Sequence, residues 1–243
     1  MIGHFRTVAV ALLLSMLALP ALAQDATPRW PDGHPNLGSA PEAKGYFETR
    51  PGGGGGGALA YPRPAAMPLQ PWAKALTAYR DSLVEFYPPG VRCKPTGGPG
   101  FFGAAGFEIV QSPDLQQIFL LNITGPHSWR VVYMDGRQHP AKLRPTYFGH
   151  SIGRWEGDTL VIDTVGFNEK AWLRGTFPTT TQLHTVERIT RANLQSFRYE
   201  VTVEDPGALT APYSGGFEIT PMTASLWIKD GEPFEYICQD IGG

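Results

Sequence analysis

Three histidines, His139, His150 and His184, fall in stretches that also hold Tyr147, Arg154, Asp163 and Glu187. Imidazole exchanges protons near neutral pH and also ligates metals, so the set suits acid–base catalysis or a metal centre. Zinc sites usually draw two ligands from close in sequence. Here the histidines lie 11 and 34 residues apart, and neither HxH nor HExxH occurs, so no metal is expected. Acid–base chemistry remains, with His150, His184, Tyr147 and Glu187 as catalytic groups and Arg154, His139, Asn168 and Trp172 as substrate contacts. Each imidazole alone reads equally as a hydrogen-bonded structural residue, and Glu187 as the partner of an arginine. Gly149-His-Ser-Ile-Gly153 has the outline of GxSxG, but a hairpin follows it instead of the strand-to-helix elbow that motif needs. Ser151 is therefore not read as a nucleophile. The glycine run Gly52–Gly57 lacks the Lys-Ser/Thr of a phosphate loop, and no nucleotide, flavin, haem or iron–sulfur signature is present, so no cofactor is expected.

These side chains must be positioned mainly by strands. Phe107–Gln111, Gln116–Leu121 and Ser128–Met134 are short β-rich runs. His150–Trp155 and Thr159–Val165 flank a Glu-Gly-Asp turn, and Leu183–Arg191 and Ser196–Glu204 flank Ala192-Asn193. Phe217–Thr220, Ala224–Lys229, a turn at Lys229–Glu232, and Phe234–Gln239 complete the series. Phe197, Tyr199, Val201 and Val203 alternate with Arg198, Glu200, Thr202 and Glu204, the period-two pattern of an antiparallel sheet with one wet face. Nine or ten such strands are best accommodated by closure, which removes exposed edges. The fold expected is all-β, an antiparallel up-and-down barrel of lipocalin-like type, with a β-sandwich as the alternative. If Leu183 and Ile189 point inward, Glu187 does too and His184 points out. A flipped or bulged strand would reverse this.

One helix is expected over Gln70–Val84, with Leu69, Trp72, Leu76, Tyr79 and Leu83 as its apolar stripe and Pro88-Pro89-Gly90 as its stop. Asn168, Lys170 and Trp172 lie in a long loop after the His150 hairpin, Phe167–Gln182, of the kind that covers a barrel mouth. Trp155 reads as a core or barrel-end aromatic, Asp158 as a turn residue, and Arg154 as a cap or an anchor for an anionic group.

The stretch from Gly149 through Arg154-Trp-Glu-Gly-Asp158 to Thr164, followed by Gly166-Phe-Asn168, resembles a widespread and largely uncharacterised family of exported bacterial proteins. Asp135–Pro140, Leu183–Arg188 and Tyr199–Pro206 are similar to the same family, and the likeness covers most of residues 68–240. It implies membership and little about activity. Arg154–Val161 also resembles the hairpins of lipocalin and fatty-acid-binding barrels, a likeness of fold.

The N-terminus reads as a secretory signal over residues 1–23: basic His4 and Arg6, an apolar Val8–Leu19, and a small-residue Ala21-Leu-Ala23 cleavage site. The product is expected in the periplasm or secreted, with no membrane insertion after cleavage. Residues 24–66, rich in Pro and Gly, read as flexible, and residues 67–243 as one β domain. Removing Arg6 with the signal takes the formal charge from −2 to −3, and no basic stripe offers a surface to nucleic acid. Cys93 and Cys238 are expected to pair in an oxidising compartment, closing a loop near 145 residues that contributes about 4–5 kcal/mol on the chain-entropy view. The function read from these features is an exported small-molecule-binding barrel. It acts as a cofactor-independent acid–base enzyme (lyase, isomerase or hydrolase) on a partly apolar or aromatic substrate inside the barrel. The alternatives are a non-catalytic ligand carrier and a structural envelope protein.

Overall fold

A computed structural model of the chain describes residues 26–38, 46–48, 67–82, 93–95, 97–103, 106–122, 128–173, 176–193, 196–221, 228–229 and 232–233. Nine strands form a closed barrel in chain order: β1 (Tyr46–Glu48), β2 (Phe107–Ser112), β3 (Gln117–Asn122), β4 (Trp129–Tyr133), β5 (His150–Glu156), β6 (Thr159–Val165), β7 (His184–Arg191), β8 (Phe197–Glu204) and β9 (Tyr213–Pro221). The short β1 pairs with both β2 and β9 and so completes the ring. A two-stranded antiparallel ribbon follows, β10 (Ile228–Lys229) and β11 (Glu232–Pro233), with Lys229 opposite Glu232; the expected turn residues 230–231 lie outside the described residues. The last expected strand, 234–239, lies outside the described residues.

The expected up-and-down order is broken once. Directions cannot alternate all the way round an odd-numbered ring, so one neighbouring pair must run parallel. That pair is β4–β5, with Val132 opposite Ser151 and Tyr133 opposite Ile152. A parallel connection needs roughly a dozen or more residues to return along the sheet. Residues 134–149 make it, and this crossover carries His139 and Tyr147.

Inward and outward residues alternate as the sequence pattern requires. Leu160 and Ile162 on β6, Thr185, Glu187 and Ile189 on β7, and Phe197, Tyr199, Val201 and Val203 on β8 are all buried. A 3-10 turn, Gly98–Gly103, pushes Phe101 and Phe102 into one end of the lumen. The Phe102 ring centroid lies 4.7 Å from Tyr199 and 5.1 Å from Phe107. The lumen is therefore packed with side chains, as in small barrels generally.

Two glycines, one just before β5 and one within it, are fixed by close approach. Gly149 has φ +66, and a Cβ there would stand 2.5 Å from the Val165 carbonyl oxygen. Gly153 makes room for Met134, whose sulfur would be 2.4 Å from an added Cβ.

Two expectations are corrected. The helix α1 runs over Pro71–Ser82 and buries Ala73 and Thr77, whereas Trp72 and Tyr79 are 46% and 61% exposed. The helix is held by its ends and side chains to the loops, Trp72 Nε1 donating to the Gly207 carbonyl and Arg80 to the Thr176 carbonyl, and of the expected stripe Leu69 packs against the core. Residue 83 onward of the expected helix lies outside the described residues. The segment read as flexible is in part built into the fold: beside β1, Leu37 is fully buried, and Arg191 reaches from β7 to the carbonyls of Asn36 and Gly38. The glycine run lies outside the described residues.

Candidate functional site

Strand alternation separates the polar groups into two sets on opposite sides of the barrel wall. The inner set is centred on Arg130 of β4, which is 2% exposed. Its guanidinium meets the fully buried Glu187 end-on, Nη1 donating to Oε1 at 3.0 Å and Nη2 to Oε2. Arg130 Nε donates to Ser151 Oγ at 2.9 Å and Nη2 to Thr164 Oγ1 at 2.8 Å, while Thr164 donates to Ser151 at 3.0 Å. Tyr199 completes the set, its hydroxyl donating to Glu187 Oε1 at 2.8 Å. A buried charge pair survives only when its remaining hydrogen-bonding capacity is met, and here five strands meet it. Glu187 thus points inward, as its period-two relation to Leu183 and Ile189 foretells, but it serves the ion pair and lies away from the histidines. Ser151 is likewise spent on Arg130.

The outer set contains all three histidines. His139 in the crossover loop, His150 at the start of β5, Asp163 on β6, and His184 and Glu204 facing each other across β7–β8 form one chain. His139 Nδ1 lies 2.8 Å from His150 Nδ1, and His139 Nε2 lies 2.9 Å from Asp163 Oδ1. His184 Nε2 stands 3.3 Å from Asp163 Oδ2, and its Nδ1 3.3 Å from Glu204 Oε2. The His139 and Asp163 side chains are 20% and 28% exposed, so the chain is half-shielded on the outer wall. On the far side, the Tyr133 ring stacks on His150 at 5.2 Å, and the Arg137 guanidinium covers Tyr133 at 4.0 Å.

With His139 in its neutral form, hydrogen-bond chemistry assigns the tautomers. An ionised carboxylate only accepts, so His139 Nε2 carries the hydrogen it gives to Asp163. The neutral ring then offers Nδ1 as an acceptor, and His150 Nδ1–H donates to it. This leaves the basic lone pair of His150 on Nε2, the nitrogen not used in the chain. Partial burial, then His139, then the Arg137 guanidinium push the His150 pKa below the usual histidine value, with Asp135 pulling weakly the other way. His150 is thus disposed to be neutral at pH 7 and to take a proton at Nε2, with His139 and Asp163 behind it.

The remaining expected site residues lie elsewhere. Tyr147 is half-buried, and its carbonyl accepts from Gly98 N at 3.0 Å, holding the 3-10 turn that plugs the barrel. Arg154 is exposed on the outer face and pairs with Glu156, which also pairs with Arg188. Asn168 Oδ1 accepts from the backbone of Lys170 and Ala171 and shapes a turn. Trp172 lies under the Arg80 guanidinium at 4.2 Å and fastens its loop to α1. Cys93 is described and carries no free thiol. Cys238 lies outside the described residues.

Sequence reasoning missed Arg130, Tyr133 and Glu204. Trp129-Arg-Val-Val-Tyr133 is apolar on both alternating faces, so nothing local marks Arg130 as inward. Glu204 was legible as an outward residue of β8, but its place opposite His184 depends on register. Among the described residues, no group of three or more His, Cys, Asp or Glu side chains is arranged to hold a metal ion. Nor is any helix among them long and apolar enough to cross a membrane. Comparison with protein-family models, curated proteins and solved structures finds no match to the chain.

Proposed function

We propose that this β-barrel is an exported, cofactor-independent acid–base enzyme of the lyase, isomerase or hydrolase kind, and that its proton-transfer group is His150. The observation that carries the reading is the Asp163–His139–His150 chain, in which a carboxylate orients one imidazole and that imidazole orients a second. Such a chain orients His150 so that its Nε2 faces away from the wall as an acceptor, and the lowered pKa keeps the ring in the neutral form a general base needs. The site works on the outer wall beneath the crossover loop, because the lumen is filled by Phe101, Phe102, Tyr199 and the Arg130–Glu187 pair. Export rests on the signal-like residues 1–23, and the Cys93–Cys238 disulfide on the absence of a free thiol at Cys93.

The test is a panel of chromogenic esters, lactones and β-hydroxy acids, assayed with the wild-type protein and His150→Gln. Loss of a positioned acid–base group costs about 10²–10⁴-fold in rate, and the thermal midpoint should hold because His150 is partly exposed. Full turnover in His150→Gln would place the chemistry elsewhere. No turnover of any class would leave the chain as a clamp for the crossover loop.

A further inference from the structure

At the other end of β5 from His150, roughly 17 Å along the strand at about 3.3 Å per residue, a cleft of about 230 Å³ opens at the barrel rim. One wall is the N-terminal segment, folded back on itself by the Arg29–Pro35 bridge. It is fastened at two points. Arg29 grips Asp158 of the β5–β6 turn through two hydrogen bonds, at 2.8 and 2.6 Å. Gln111 Oε1 accepts from Trp30 Nε1 at 2.9 Å and from Leu37 N at 2.6 Å, while its amide nitrogen donates to the Pro35 carbonyl at 3.2 Å. The His34 ring lies flat on Trp155, 5.2 Å away and tilted by 16°, and Asp32 holds it there. The opposite wall is the β2–β3 turn. Its Gln116 has φ +48, a conformation that residues other than glycine adopt rarely and that local structure must enforce. Bonds from Gln116 N to Pro113 O and from Met134 N to Gln116 O enforce it.

We propose that this cleft binds a single neutral, hydroxylated ring, a monosaccharide unit. Drug-sized ligands occupy sites of about 300–1,000 Å³, so this volume admits one ring. Trp30, and the His34 ring seated on Trp155, supply flat surface for the C–H face of such a ring. Ser112, Gln116 and Gln117 supply hydroxyl and amide groups that both donate and accept, which matches vicinal hydroxyls. Among the described residues, no lysine or arginine lines the cleft and Asp32 is the one carboxylate, so an anionic ligand is disfavoured. The site is independent of the His150 chemistry.

The test is tryptophan fluorescence and saturation-transfer NMR on the full chain, with glucose, galactose, mannose, N-acetylglucosamine and glucuronate as probes. At least one neutral sugar should bind saturably, with Kd on the order of 1 mM. Gln117→Ala should weaken it about fivefold to tenfold, the worth of one or two neutral hydrogen bonds, and Trp155→Ala more. Gln117→Ala keeps the test valid if Trp155→Ala fails to fold. His150→Gln should leave binding unchanged, so failure here is distinct from failure of the acid–base reading. Absence of saturable binding by every neutral sugar, preference for glucuronate, or an unchanged Kd in Gln117→Ala would overturn the proposal.

Discussion

Replacing Arg130 with methionine removes one half of a fully buried ion pair and keeps most of the side-chain volume. Glu187 is left with a single donor, the Tyr199 hydroxyl, where it now has three bonds. Ser151 and Thr164 also lose their guanidinium donors but keep each other. Breaking a buried pair from one side costs about 3–5 kcal/mol because the surviving charge stays out of water. For a domain of this size, that lowers the thermal midpoint by roughly 6–20 °C. The triple variant Arg130→Met/Glu187→Leu/Tyr199→Phe removes the charge and the orphaned hydroxyl together. It should regain at least half of the loss, since apolar replacements of whole buried pairs are often neutral. Urea denaturation followed by tryptophan fluorescence measures both variants. A single variant that loses under about 1 kcal/mol, or a triple variant as unstable as the sum of its parts, would refute the view that these five strands are tied by a desolvated charge pair.

Gly153→Ala should destabilise by about 1–3 kcal/mol, the usual cost of overpacking. The new methyl would also stand 2.8 Å from Val132 Cγ1, and adding Met134→Ala should recover part of the loss in the same denaturation assay. Asp163→Asn should free the crossover loop, so trypsin should cut at Arg137 or Lys142 several-fold faster, while Glu204→Gln should leave the cleavage rate near that of wild type. The pH dependence follows from His150. Its folded pKa lies below the unfolded value, so its contribution to stability is complete above about pH 6.5 and is lost as pH falls through the folded value. Melting curves from pH 7.5 to 5 should therefore fall more steeply for wild type than for His150→Gln. Burial sets this shift first, then His139 and Arg137 in the same direction, with Asp135 opposing.

What the sequence disclosed follows from alternation. Period two put Leu183, Glu187 and Ile189 on one face and His184 on the other, and the burial of Leu183 and Ile189 decides which face is inside, since a one-residue slip would turn every buried side chain of β7 into water. The three histidines were legible as a set. Their convergence was not, since it depends on a parallel β4–β5 pair, and no local pattern encodes strand direction. That pair is required only once β1 makes the strand count odd, and β1 is three residues in a Pro/Gly-rich segment, too short for a periodic signal. The helix face misled for a different reason. Ala73 and Thr77 are buried while Trp72 and Tyr79 are exposed, and hydrophobicity alone does not say which face of a short helix the neighbouring loops cover.

The most direct measurement is the tautomeric state of the histidines, read from long-range proton–nitrogen NMR correlations on ¹⁵N-labelled protein at pH 7.5. The account requires a hydrogen on His139 Nε2, a hydrogen on His150 Nδ1, and an unprotonated Nε2 on His150. If the hydrogen of His150 is found on Nε2, its lone pair is turned into the wall toward His139, and His150 has no base to offer a substrate.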